Sequence, residues 1–538
     1  MNISYTNILK WITAAIVVVG ICMRFTDLDS KPFWYDETMG ALRSSGYLEE
    51  EILTTITYEN VTTVESFLKY QQLKPQANSA DTVRALAAND PQHPPLYYTL
   101  SNIWMTWFGD SVAVRRSLSA ALSLVALPCV YWLCLELFQS ATVSYFAVIL
   151  GAVSPLYLIY AQEARQYSLW LALTPLCCAA LLRALRINSR LSWFIYMLSL
   201  SLGFLTHLFF AFIAIAHSIY ICFNERFQLT NRLRRYFQSL LACAFIILPW
   251  GVIVFQGMSI VRTTTSYTTE SSRSLSYLWK LWLLNLSRFL LDFDLSLGEN
   301  HPLIYLAPLF AILVSYAVYF CYRNASFKSF FFTMLLVSIN VIGLVIPDFV
   351  LGGIRSSSAR YFMVSYLGIQ LLIAYLLAIK TEALNHRVWF YRAWRFGAVA
   401  LIVGAFFSCN MNLQASTWWN KNSGYFDPEV ANIINASPNP LVISDAISGM
   451  ILSLSHQLKP EISLQIQPKC RICHDSQIEN SAVSAPTIPE GFDYIFFYRP
   501  SKALQDSLAD RYKLDLIYRP QRSPYEPQLW RLHSITDS

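Results

Sequence analysis

Phe33-Trp34-Tyr35-Asp36-Glu37 stands a few residues beyond an apolar run from Ile8 to Met23. If the run and its flanks (8–25) span a bilayer, the two carboxylates emerge at the membrane surface opposite the N-terminus, where a lipid-borne substrate and a polar one can meet. The residues before Trp11 are too few and too weakly basic for a signal peptide's n-region, and no A-x-A-like cleavage site follows, so the run is expected to be a retained anchor.

Composition supports a membrane setting. Of the 538 residues, 55% are hydrophobic and only 14% are charged, against about 25% in a soluble domain, and the mean hydropathy is +0.38. The formal charge of +6 is not a nucleic-acid signature, because Lys and Arg are spread in short clusters between apolar runs and form no basic face. Nine of the eleven cysteines lie in or beside apolar runs, as small buried hydrophobes do. Cys470 and Cys473 alone have a polar setting. Their C-x-x-C spacing favours a local disulfide, with a zinc half-site, a redox pair or unpaired thiols as alternatives.

Scanning at about 20 residues per crossing gives about eleven spans, at 8–25, 112–138, 142–160, 167–185, 192–206, 208–223, 236–256, 303–322, 328–349, 359–380 and 396–412. The short fifth and sixth are expected as a re-entrant pair or one bent helix. Arg183, Arg186 and Arg190, then Arg226, Arg232, Arg234 and Arg235, then Arg323 and Lys328, then Lys380, Arg387, Arg392 and Arg395 fall in alternate loops. The positive-inside rule makes these loops cytoplasmic. The N-terminus is then inside, and the Asp36 loop, 162–167, His207, the segment before Arg360 and the C-terminal tail are outside.

The fold class expected is a mainly α-helical polytopic membrane protein with a small extracytoplasmic α/β domain at its C-terminus. Residues 1–412 form the transmembrane domain and 413–538 the α/β domain, with β-like runs at 441–444, 462–466, 494–498 and 514–518. The long first outer loop, 26–111, carries Leu48, Ile52, Leu53 and Ile56 at helical spacing, which predicts surface-lying amphipathic helices. Residues 274–297 read likewise as interfacial. No internal repeat is found, which leaves the inverted-repeat plan of many transporters unsupported.

Four polar clusters map to the outer side. Asp36-Glu37 supplies carboxylates for proton abstraction or for a divalent metal, or else a solvated loop or helix cap. Asp90-Pro91-Gln92-His93-Pro94-Pro95-Leu96-Tyr97-Tyr98 uses prolines to stiffen a helix entry and direct His93. Tyr160-Ala161-Gln162-Glu163-Ala164-Arg165-Gln166-Tyr167 places an arginine at membrane depth, where it is costly unless paired; Glu163 or an anionic headgroup would pair it, and the bland alternative is a snorkelling side chain. Thr206-His207 and Arg360-Tyr361 complete the set, each also compatible with a structural role. A carboxylate base together with phosphate-binding arginines suits transfer from a phosphate-linked donor.

At these residues the chain resembles the GT-C glycosyltransferases of the protein O-mannosyltransferase and aminoarabinose-transferase type, the PMT-like group (family 39). Trp34-Tyr35-Asp36-Glu37, His93-Pro94-Pro95-Leu96-Tyr97-Tyr98, Gln162-Glu163-Ala164-Arg165 with Tyr167, Thr206-His207 and Arg360-Tyr361 carry the likeness, over about residues 20 to 370. The resemblance implies a GT-C fold in the cell (inner) membrane and transfer of a hexose or pentose from a polyprenyl-phosphate donor to a glycan, lipid or protein acceptor. It implies Asp36 as the catalytic base, or as the acid that orients the acceptor, and inversion at the anomeric carbon. Arg165 and Arg360 would hold the lipid phosphate, while Glu163, His93 and His207 would shape the sugar or metal site; Glu37, Tyr97, Tyr167 and Tyr361 are counted with the substrate-binding set. No cofactor beyond a possible divalent metal is implied. A lipid-linked sugar transporter or flippase, and a non-catalytic envelope assembly protein, stay open as alternatives.

Overall fold

The computed structural model describes residues 5–271, 273–295, 301–382, 388–421, 423–470, 486–520 and 528–534. Helices occupy every segment expected to cross the membrane. Among the described residues eight are long and apolar enough to span, or nine if one bent pair counts as a single crossing. The difference from eleven lies in Arg190–Phe204 and Phe210–Asn224, helices of 15 residues each, short of the roughly 20 that a bilayer core requires. The Leu275–Ser287 helix, 13 residues long, is also too short to cross.

The bent pair is Ala141–Ala152 and Pro155–Ala161, which meet at 59°. Proline opens a helix readily because its missing N–H is an orphan in the first turn, and Ser154 caps the new start. The first helix loses its last carbonyl partners at the break. Arg24, from α1 (Tyr5–Phe25), supplies them: its guanidinium donates to the carbonyls of Gly151 at 3.0 Å and Ala152 at 2.8 Å. A Cβ on Gly20 would sit 2.8 Å from the Ala152 oxygen, so glycine is what lets α1 come that close. The bend delivers residues 162–166 to the end of the bundle where the first loop begins.

The apolar stripe at Ile52 and Ile56 of the first loop packs on protein. Ile52 and Ile56 are buried against Val430, Ile434, Ile451 and Leu464 of the C-terminal region, together with Met39, Leu42, Val64 and Phe67. The expected amphipathic pattern is present, and protein covers its apolar face. The sheet joins the same two regions. β1 (Thr62–Thr63), β2 (Pro440–Ser444), β3 (Ser463–Ile466), β4 (Tyr494–Tyr498), β5 (Tyr512–Tyr518) and β6 (Leu529–Ser534) run in the order β1-β3-β2-β4-β6-β5. β2 is parallel to β3 and β4, whereas β1 is antiparallel to β3. One edge strand of the C-terminal sheet therefore comes from residues 62–63 of the first loop. Cys470 is disulfide-bonded, and Cys473 lies outside the described residues.

Candidate active site

Asp36 lies in the first turn of α2 (Tyr35–Ser44), a helix that starts where Trp34 and Glu37 exchange capping contacts. Its carboxylate accepts from Arg360 Nη1 at 2.8 Å. Arg165 Nη1 donates to the Asp36 carbonyl at 3.0 Å. Two guanidiniums thus flank the residue proposed as base. Burial by itself would raise the Asp36 pKa; Arg360 first and Arg165 next more than offset this, with Lys421 further off, and hold the carboxyl below its ordinary range.

Arg165 also donates to His93 Nε2 at 2.9 Å. An arginine has no acceptor, so His93 Nε2 must carry a lone pair and the ring proton sits on Nδ1, facing Asp90 Oδ1 at 2.8 Å. Burial and then Arg165 lower the His93 pKa against the pull of Asp90. Asp90 pairs in turn with Arg43 at 3.2 Å, on the last turn of α2. The Asp36, Arg360 and His93 side chains retain 21%, 15% and 22% exposure, so a ligand can reach this edge.

Arg360 is aimed by its flanking loop. Asp348 accepts from the backbone N–H of Arg355 and of Ser356 at 3.0 and 2.7 Å. Trp282 and Asn285 of the Leu275–Ser287 helix donate to Ser356 Oγ and to the Ser357 carbonyl, both at 2.9 Å. The guanidinium then lies over Tyr361, Tyr167 and Trp34, with its carbon 5.3, 5.7 and 5.9 Å from the ring centres, an arrangement in which aromatic faces stabilise the cation.

The other expected residues form the wall or its support. His207 stacks on Trp170, centroids 4.2 Å apart, and lies 6.2 Å from the Tyr167 ring. Tyr97 is buried behind the site, bonded to Ser119 at 2.8 Å. Its neighbour Tyr98 is the ring that faces Arg165, at 5.8 Å. Glu37 points away from the reachable edge: it is fully buried, Arg116 binds both its oxygens at 2.7 and 2.8 Å, and the Ala164 N–H donates to it at 2.8 Å. Glu37 and Tyr97, both expected to bind substrate, are buried with their polar atoms already bonded inside the protein.

Three contributors escaped the sequence reading. Arg116 spends all its donors on Glu37 and on the carbonyls of Leu28, Lys31 and Pro32. The available signal was Arg115-Arg116 at the end of a span expected to face outside, against the positive-inside trend. Gly40 lets Arg165 pass, since a Cβ there would meet its Nη1 at 3.3 Å. Lys421, from the C-terminal region, pairs with Glu163 at 2.5 Å. Its only signal was the Trp418-Trp419-Asn420-Lys421 cluster just after the last span.

Among the described residues no three or more His, Cys, Asp and Glu side chains are grouped to hold a metal ion. Asp36, Glu37 and Glu163 each face a cation from the protein, so they do not converge as a ligand set.

Residues 92–253 match the model of the dolichyl-phosphate-mannose-protein mannosyltransferase family. The chain shares its fold with ArnT from Cupriavidus metallidurans, solved bound to undecaprenyl phosphate, at 13% identity and a TM-score of 0.54, covering 97% of this chain and 98% of that one. The apo ArnT structure is similar at 12% identity and a TM-score of 0.54, with the same 97% and 98% coverage. Comparison with curated proteins gives no match. The chain thus has a multi-pass helical fold like that of ArnT, and residues 92–253 resemble the mannosyltransferase family.

Proposed function

We propose that this protein moves a sugar from a polyprenyl-phosphate donor to an acceptor hydroxyl or phosphate at the extracytoplasmic face of the cell membrane. The observation that carries this reading is Asp36 held between Arg360 and Arg165 at the exposed edge of the site. ArnT is solved bound to undecaprenyl phosphate, and the two guanidiniums here are suited to such a group, since they match phosphate oxygens with paired donors. Arg360 Nε and Arg165 Nε are buried without a protein partner, donors suited to the oxygens of a sugar phosphate.

In the resting site Asp36 is tied to Arg360. A donor phosphate competes for that guanidinium, and as Arg360 turns to it Asp36 becomes free and more basic. The acceptor O–H then attacks the anomeric carbon, its proton passes to Asp36, and the bond from that carbon to the phosphate oxygen breaks. Configuration inverts, and polyprenyl phosphate leaves with its charge against Arg165 and Arg360. Leaving-group stabilisation comes from these arginines in this scheme, with no step through a metal.

Purified protein given labelled polyprenyl-phosphate sugars should release polyprenyl phosphate. Asp36→Asn should lower that release by about a hundredfold or more, the usual span for a lost general base. Wild-type rates in the variant would refute the base role, and movement of labelled lipid between leaflets without release would favour a flippase. The proposed topology predicts that a reporter after Gln414 is read outside the cell membrane.

A further inference from the structure

We propose that the Lys421–Glu163 ion pair is a positioning element for glycosyl transfer, so that the C-terminal region completes the active site; this rests on the reading above. The two side chains are 3% and 0% exposed and stand 2.5 Å apart. A buried ion pair seldom stabilises a fold more than an apolar pair of the same shape, so its place at this point calls for another reason. The ammonium lies 4.6 Å from the Trp34 ring centre and 4.7 Å from that of Tyr160. Trp34 shares its ring with Arg360 and caps α2 two residues before Asp36. Glu163 stands two residues before Arg165, whose N–H closes a tight turn onto the Glu163 carbonyl at 2.7 Å. The pair thus ties the segment that holds Asp36 to the segment that holds Arg165.

The turn beyond Lys421 is shaped for this contact. Gly424 has φ +93°, and a Cβ there would lie 3.3 Å from the Trp34 Cβ and from Ser453 Oγ. Glycine alone adopts that backbone freely and lets the turn close under Trp34. Nothing in the spacing of the transmembrane motifs calls for a cation from residue 421. The folded chain supplies one all the same, and it neutralises a carboxylate that would otherwise stand buried beside Glu37.

Lys421→Met, Glu163→Gln and the double variant, as full-length chains in one detergent, test this through two readouts: release of polyprenyl phosphate from the labelled donor that the wild type uses, and the melting temperature. A displacement of about 1 Å at a reacting group lowers turnover by about a hundredfold, so Lys421→Met should lower kcat by about thirtyfold or more, with donor KM changed less than about threefold. The double variant carries no unpaired charge. It should regain most of the melting temperature and little of kcat. Wild-type kcat in Lys421→Met, or kcat recovered together with melting temperature in the double variant, would overturn the proposal by reducing the pair to packing. A wild-type chain inert with every polyprenyl-phosphate sugar offered would overturn the glycosyl-transfer reading and this inference with it, an outcome distinct from an active wild type with active variants.

Discussion

The chain Asp36, Arg165, His93, Asp90 and Arg43 alternates charge and lone pair so that each group has one sensible protonation state. His93 is neutral when folded, with its pKa lowered by burial and by Arg165, whereas in the unfolded chain it titrates near about 6.5. Below that pH the unfolded state binds more protons, so the stability His93 contributes is full above about 6.5 and is lost as pH falls towards the lower native value. Other buried histidines, among them His456, slope the same way. The His93 share is the difference between wild-type and His93→Gln melting curves, which should converge as the pH drops from about 7.5 to 5. Glu37 has a different test. Arg116→Met would leave a fully buried carboxylate without its cation, and such a loss costs about 3–5 kcal/mol. Pairing the change with Glu37→Gln should recover much of the melting temperature.

At the scale of elements, α2 matters more than its 10 residues suggest. Its first turn holds Asp36, its last turn holds Arg43, and its middle packs on the Ser448–Ser455 helix through Gly449. A Cβ on Gly449 would lie 2.8 Å from Met39 Sδ and from the Tyr35 ring. Thr38 Oγ1 adds a hydrogen bond to the Gly449 carbonyl at 3.1 Å. Gly449→Val must push α2 away, at an overpacking cost of about 1–3 kcal/mol. Because Asp36 moves with α2, release of polyprenyl phosphate should fall by about tenfold or more, though residue 449 lies far along the chain from every site motif. A variant that keeps wild-type turnover would show that α2 is positioned from the membrane side alone.

The whole molecule is built by interpenetration. The sheet recruits β1 from the first loop, and Met39, Leu42, Ile52, Val64 and Phe67 share one core with the C-terminal region. Ending the chain after Gln414 would bare that apolar face and remove Lys421. The truncated protein should elute as aggregate on size exclusion and release no polyprenyl phosphate, and adding residues 415–538 as a separate chain should not restore activity. A monodisperse, active truncation would mean that the C-terminal region is an appendage.

Periodicity and hydropathy made the spans, the long first loop and most of the C-terminal strands legible, because each depends on residues adjacent in the chain and on how many apolar side chains meet lipid. The same local logic located Asp36, His93, Arg165 and Arg360, since a polar cluster in an apolar sequence is conspicuous without knowledge of its partners. It could not tell that Glu37 is spent on Arg116, that the apolar stripe at Ile52 and Ile56 meets protein and not lipid, that two residues at 62–63 pair with a strand 400 positions later, or that residue 421 supplies a cation to Glu163. Those are contacts between distant segments, and charge pairing or apolar burial rewards any partner of the right kind. Which partner arrives is decided only when helix bends, tight turns and close glycine contacts bring particular segments together.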